Sequence, residues 1–122
     1  MSKKILIVDD EPDLLEMVQI SLEMEGYECM VAYDGFRALD RARKEKPDLI
    51  ILDVMLPGLN GYKICRLLKF DEQYKHIPII MLTAEAQEKD RLVGEETGAD
   101  FYMTKPFAAD KLIAKVAELL GK

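Results

Sequence analysis

Leu49 to Leu52 are four consecutive apolar residues that run straight into a carboxylate, Asp53. So short a run without alternation reads as a strand buried on both faces, the condition of a strand in a parallel sheet covered by helices. Pro57, Gly58 and Gly61 then break the pattern, so Asp53 stands where a buried strand gives way to a loop. Open α/β sheets keep their ligand sites at such strand ends.

The rest of the chain repeats this arrangement. Lys4 to Val8 is apolar and closes on Asp9 and Asp10. Pro12 suits a first helical position, and Leu14, Leu15, Val18 and Leu22 follow at helical spacing until Gly26. Glu28 to Tyr33 is the next predicted strand. Asp34 and Gly35 open a helix with Ala38, Leu39 and Ala42 inward and Arg41, Arg43, Lys44 and Lys46 toward its C-terminal end, where cations complement the helix dipole. Asn60 can cap a helix that buries Ile64, Leu67 and Leu68.

Ile77 to Leu82 is a further strand, followed by Thr83. A fourth helix is predicted over 88–97, the weakest in the chain, with Gly94 in its interior. Phe101 to Met103 is the last strand, with Lys105-Pro106 after it. A final helix carries Leu112, Ile113, Val116, Leu119 and Leu120 on one face. Five strands alternating with five helices predict an α/β fold: a doubly wound, flavodoxin-like parallel sheet in the order 2-1-3-4-5. In that order the first and third strands are neighbours, so Asp9, Asp10 and Asp53 meet in one crevice.

At 122 residues the chain reads as one domain, 1–122, able to fold without disulfide or structural metal. Its formal net charge of −6 and lack of a Lys/Arg cluster argue against a nucleic-acid surface. No apolar run has the length of a membrane span and no leader follows Met1, so the expected location is cytoplasmic, with no membrane partner. Cys29 and Cys65, far apart, read as small buried hydrophobes, and the single His76 cannot by itself supply a zinc site.

Three converging carboxylates repel one another unless a cation neutralises them. Oxygen donors in a partly open crevice suit Mg²⁺, with Mn²⁺ as the alternative, better than a closed Ca²⁺ cage. Thr83 offers a hydroxyl donor and Lys105 a compact positive charge, the two groups a phosphoryl moiety needs. A carboxylate beside a metal, a lysine and a hydroxyl can attack phosphorus, and Asp53, at the end of the central strand, is the expected nucleophile. Taken singly, each residue has a plainer reading as a helix cap, a turn former or a solvated charge. Their coincidence at strand ends favours the chemical one.

The motifs VDDEP at 8–12, LDVMLPGLNG at 52–61, MLTA at 81–84 and YMTKPF at 102–107 resemble the receiver domain of two-component response regulators, in order and across essentially the whole chain. The resemblance implies that Asp53 is the phosphoacceptor. It implies that Asp10 binds Mg²⁺ directly, Asp9 through water, and Met55 through its backbone carbonyl, and that Thr83 and Lys105 contact the phosphoryl oxygens. It also implies a cis Lys105-Pro106 bond, a switch in which Thr83 moves toward the phosphoryl group and Tyr102 turns inward, and an output face formed by the fourth helix, fifth strand and fifth helix. Met55 and Glu85 are the positions expected to tune phosphate lifetime. The start of the last helix, Ala108-Ala109, lacks the Ser or Thr cap frequent in the family.

The implied partners are a sensor histidine kinase or His-phosphotransfer protein and a downstream protein target. The domain is expected to be a monomer or a phosphorylation-dependent dimer. On this reading it is a switch with self-catalysed phosphotransfer and autodephosphorylation rather than an enzyme. A phosphatase of the haloacid dehalogenase type is the main rival, but it resembles a DxD pattern, and here Met55 stands where the second acid would be. A degenerate receiver that binds partners without phosphorylation is the other.

Overall fold

In the computed structural model, which describes residues 2–84 and 98–121, the apolar runs become the five strands of one parallel sheet in the order β2-β1-β3-β4-β5. The strands are β1 (Lys4–Val8), β2 (Glu28–Ala32), β3 (Leu49–Asp53), β4 (Ile79–Ala84) and β5 (Phe101–Lys105). Four helices are described: α1 (Pro12–Met24), α2 (Gly35–Glu45), α3 (Gly61–Lys69) and α4 (Ala109–Leu119). The helix predicted over 88–97, and Glu85, lie outside the described residues.

The sheet divides the interior into two apolar layers, because alternate residues of each strand point to opposite sides. Ile5, Ile7, Leu49, Ile51, Ile80 and Leu82 pack with Leu15, Val18 and Leu22 of α1 and Leu112 and Val116 of α4. Leu6, Val8, Ile50, Leu52, Ile79 and Met81 pack with Ala38 and Ala42 of α2 and Ile64, Cys65 and Leu68 of α3. Every residue of β3 is buried, as a strand flanked on both edges and covered on both faces requires.

Some sequence expectations shift. β4 begins at Ile79 rather than Ile77, because Ile77 N–H is bonded to Tyr74 O in the preceding turn and Pro78 has no N–H to give a ladder. The strand also runs further, so Thr83 lies within it. β5 likewise extends to Lys105, where the cis Lys105-Pro106 bond follows. β2 ends one residue earlier than expected, at Ala32. On α3 the buried stripe is Ile64, Cys65 and Leu68, while Leu67 is 41% exposed: positions 64, 65 and 68 share one side of a helix and 67 flanks it. Cys65 is buried as expected, but Cys29, on edge strand β2, is only half-buried.

At the far end of the sheet from the acid cluster, Lys69 closes α3 onto the strands. Its Nζ donates to Ile77 O at 3.0 Å and to Asp100 Oδ2 at 2.9 Å, and the same Asp100 oxygen accepts from Ile79 N at 2.8 Å.

Candidate functional site

Asp9 follows β1 immediately and stays in the ladder, its N–H bonded to Ala32 O at 3.2 Å. Continuing the alternation of Ile5 and Ile7, it sits on the α1/α4 side of the sheet, as Asp53 does after Leu49 and Ile51 and Lys105 after Phe101 and Met103. Three residues from strands far apart in sequence are therefore brought to one side of one sheet edge by pleat and register alone. Thr83, following Ile79 and Met81, belongs to the opposite side, and so does Tyr102.

Asp9 and Asp53 are 1% and 4% exposed, and Asp10 stands in solvent beside them. One oxygen from each of the three lies within 4.8 Å of the others. The Lys105 ammonium reaches into this cluster, 2.9 Å from Asp9 Oδ2 and 3.3 Å from Asp53 Oδ1. It also meets Glu11 Oε1 at 3.2 Å. Asp9 is held from its other oxygen as well, Oδ1 accepting from Glu11 N at 2.9 Å.

The loop after β3 is bent back tightly against the strand it leaves. Gly61 N–H donates to Val54 O at 3.0 Å, and a Cβ at position 61 would run into the Asp53 carbonyl and the Val54 backbone. Gly35, at the start of α2, is pressed as closely against the Leu59 backbone and donates to Pro57 O at 3.2 Å. Both glycines are there because the backbone passes where a side chain would be.

Burial, followed by the neighbouring Asp9 charge, pushes the Asp53 carboxyl up to about 6, against the lowering effect of Lys105 and of a hydrogen bond from the Met55 backbone N–H. For Lys105, burial works against the ammonium, yet its pairing with Asp9, Asp53 and Glu11 outweighs it and raises the pKa. Two buried acids share one lysine, with a further acid exposed beside them, so the pocket carries surplus negative charge. Hard oxygen donors with surplus charge, brought within 4.8 Å of one another, fit a small divalent cation such as Mg²⁺.

Of the residues singled out from the sequence, Asp9, Asp10, Asp53 and Lys105 are thus brought together. Thr83 is buried at the end of β4, one residue past Leu82, which pairs with Asp53. The Met55 side chain is 63% exposed at the rim. Tyr102 is half-buried opposite Met81 and packs on the α2/α3 core. Glu11 is the member sequence reasoning missed. The available signal was an acid with a long side chain at a helix N-cap, where short polar side chains are preferred.

Fold and site define a flavodoxin-like α/β protein with an acid-and-lysine pocket at the switch point of its sheet. The chain belongs to the response regulator receiver domain family, whose family model matches residues 5–117. It is 49% identical over its full length to the alkaline phosphatase synthesis transcriptional regulatory protein PhoP of Bacillus subtilis, covering 50% of that protein. It is 48% identical, again over its full length, to the phosphate regulon transcriptional regulatory protein PhoB of Pseudomonas aeruginosa, covering 53%. The chain thus spans about half the length of these curated relatives.

Among solved structures, the chemotaxis response regulator CheY4 of Vibrio cholerae superposes with a TM-score of 0.90 at 34% identity, over 98% of this chain and 99% of that one. The receiver domain of the sensor histidine kinase PA1611 from P. aeruginosa, solved with a magnesium ion coordinated in its active site cleft, gives a TM-score of 0.90 at 31% identity over the whole of both chains. No helix among the described residues is long and apolar enough to cross a membrane.

Proposed function

We propose that residues 1–122 act as a single receiver domain, a phosphoacceptor switch in which Asp53 takes a phosphoryl group from a phosphohistidine on a sensor kinase or His-phosphotransfer protein. The observation that carries this reading is the Lys105 ammonium held between Asp9 and Asp53 beside a third carboxylate, Asp10. Asp9, Asp10, Asp53 and the Met55 carbonyl would hold Mg²⁺, or Mn²⁺ in its place; the bound ion neutralises charge on the transferring phosphoryl oxygens.

The ionised Asp53 carboxylate attacks phosphorus. A bond forms between its oxygen and phosphorus, the phosphorus–nitrogen bond to the donor imidazole breaks, and the imidazole leaves with the electron pair and takes up a proton. Lys105 and Thr83 donate hydrogen bonds to the phosphoryl oxygens. Water later attacks phosphorus, returning the Asp53 carboxylate and inorganic phosphate, so the domain resets itself without steady turnover of an external substrate. A shift of Thr83 toward the phosphoryl group, with Tyr102 moving inward, changes the surface formed by β5 and α4. That surface would bind the downstream target or a second copy of the domain. The setting is the cytoplasm, without direct nucleic-acid or membrane contact by this domain.

Mixing the protein with Mg²⁺ and acetyl phosphate should add the mass of one phosphoryl group, and Asp53→Asn should abolish the gain. No gain in the parent protein would favour a degenerate, phosphorylation-independent receiver.

Met55 and Glu85 set how long the phosphoryl group persists. An apolar side chain at 55 cannot orient an attacking water, and its place at the rim fits that role. Met55→Asn should shorten the phosphoprotein half-life several-fold, corresponding to about 1 kcal/mol in the barrier. A half-life equal to the parent's would sink the idea.

A further inference from the structure

Lys105 has three N–H donors, and all three face carboxylates: Asp9, Glu11 and Asp53. These partners are unequal. Asp9 and Asp53 are buried and belong to the cluster of acids able to hold a cation, whereas the Glu11 side chain is 63% exposed and lies outside that cluster.

Glu11 occupies the N-cap of α1, yet its side chain makes no capping hydrogen bond. An N-cap side chain ordinarily accepts from the first-turn N–H groups. Here it is turned away from the helix and spans to β5, at the opposite end of the sequence. Meanwhile Glu11 N–H fixes Asp9 Oδ1. One residue therefore touches both the pocket's buried acid, through its backbone, and the pocket's lysine, through its carboxylate.

A divalent cation held by Asp9, Asp10 and Asp53 would compete with Lys105 for two of its three partners, Asp9 and Asp53, and not for Glu11, which lies outside the cluster. We propose that Glu11 is the positioning residue for Lys105: it keeps the ammonium at the rim of the pocket while the acids turn to the cation, and from there the ammonium passes to a phosphoryl oxygen. The inference rests on the reading of the site given under the proposed function. It assigns Glu11 a part in cation binding without making it a ligand.

The test is the Mg²⁺ binding isotherm of the unphosphorylated protein, by calorimetry at near-physiological salt, for the parent, Glu11→Gln and Glu11→Asp. Aspartate keeps the charge and is a better helix cap, but is one methylene too short to keep the contact. Both substitutions should weaken Mg²⁺ binding about two- to fivefold, the scale of an exposed ion pair. Melting temperatures in EDTA should stay at the parent value or, for Glu11→Asp, rise. The ¹⁵N ammonium signal of Lys105 in the Mg²⁺-loaded protein should be slowly exchanging in the parent and lost in both variants.

Weakening in Glu11→Gln alone would mean that net charge suffices and would overturn the positioning role. Unchanged affinity in both variants would overturn it too. A parent protein that binds no Mg²⁺ would instead bring down the reading of the site itself.

Discussion

Asp53 carries the strongest conflict between burial and charge in the pocket. Its carboxyl is pushed from 3.8 to about 6, by burial first and the Asp9 charge second. A folded value above the unfolded one means that the protonated form gains on folding: this contribution is complete below about pH 4 and is lost as pH rises through about 6. In metal-free buffer, Asp53→Asn should therefore stabilise the protein at pH 7 to 8 by about 1–3 kcal/mol, since each pKa unit corresponds to about 1.4 kcal/mol. The gain should vanish near pH 4. Urea midpoints at the two pH values check this, and a gain independent of pH would show that Asp53 ionises without penalty.

At this scale the sequence was legible where an apolar run made a charge conspicuous. Asp9, Asp10 and Asp53 each stand at or just beyond a buried strand end, and Lys105 closes the strand that the sequence reading ended at Met103. Glu11 was not legible in that way. Nothing in a sequence tells which way a flexible glutamate leans from a helix cap, and only the arrival of Lys105 from 94 residues away decides it.

Among the described helices, α4, like α1, starts without a side-chain cap. Its N-cap is Ala108, in extended backbone at φ −84° and ψ 138°, with no side chain to accept from the first turn. Asp34 and Asn60 do this for α2 and α3, accepting from Arg37 N at 2.8 Å and Lys63 N at 3.0 Å. Ala108→Ser should raise stability by about 0.5–1 kcal/mol without altering Mg²⁺ binding. A chemical denaturation curve superimposable on the parent's would show that this cap is already satisfied another way. Among the described residues, strand and helix existence were readable from periodicity because burial dictates it. Boundaries were less so, since Thr83 and Lys105 remain in the ladder although neither is apolar.

For the molecule as a whole, a cation held by Asp9 and Asp10 after β1 and by Asp53 of β3 would bind the folded chain and not the unfolded one. At tenfold excess over its dissociation constant this adds about 1.4 kcal/mol. Mg²⁺ should therefore raise the melting temperature by roughly 5 °C for a domain of this size, and EDTA should reverse the shift. A melting temperature indifferent to Mg²⁺ would remove the cation from the pocket. The 2-1-3-4-5 order was legible because buried strands, right-handed crossovers and two faces to cover leave few arrangements. The 88–97 segment and Glu85 fall outside the described residues.

The division of the interior by the pleat has a consequence for communication. Asp9, Asp53 and Lys105 share one side of the sheet with α1 and α4, while Thr83 and Tyr102 share the other with α2 and α3. The five strands stand between them, so the two groups of side chains project to opposite faces and do not pack in one layer. In the proposed switch, the path from Asp53 to Tyr102 would run over the strand ends by way of Thr83, one residue past the partner of Asp53. On the proposed switch, a single substitution in this short rim would silence the far side while leaving the pocket whole.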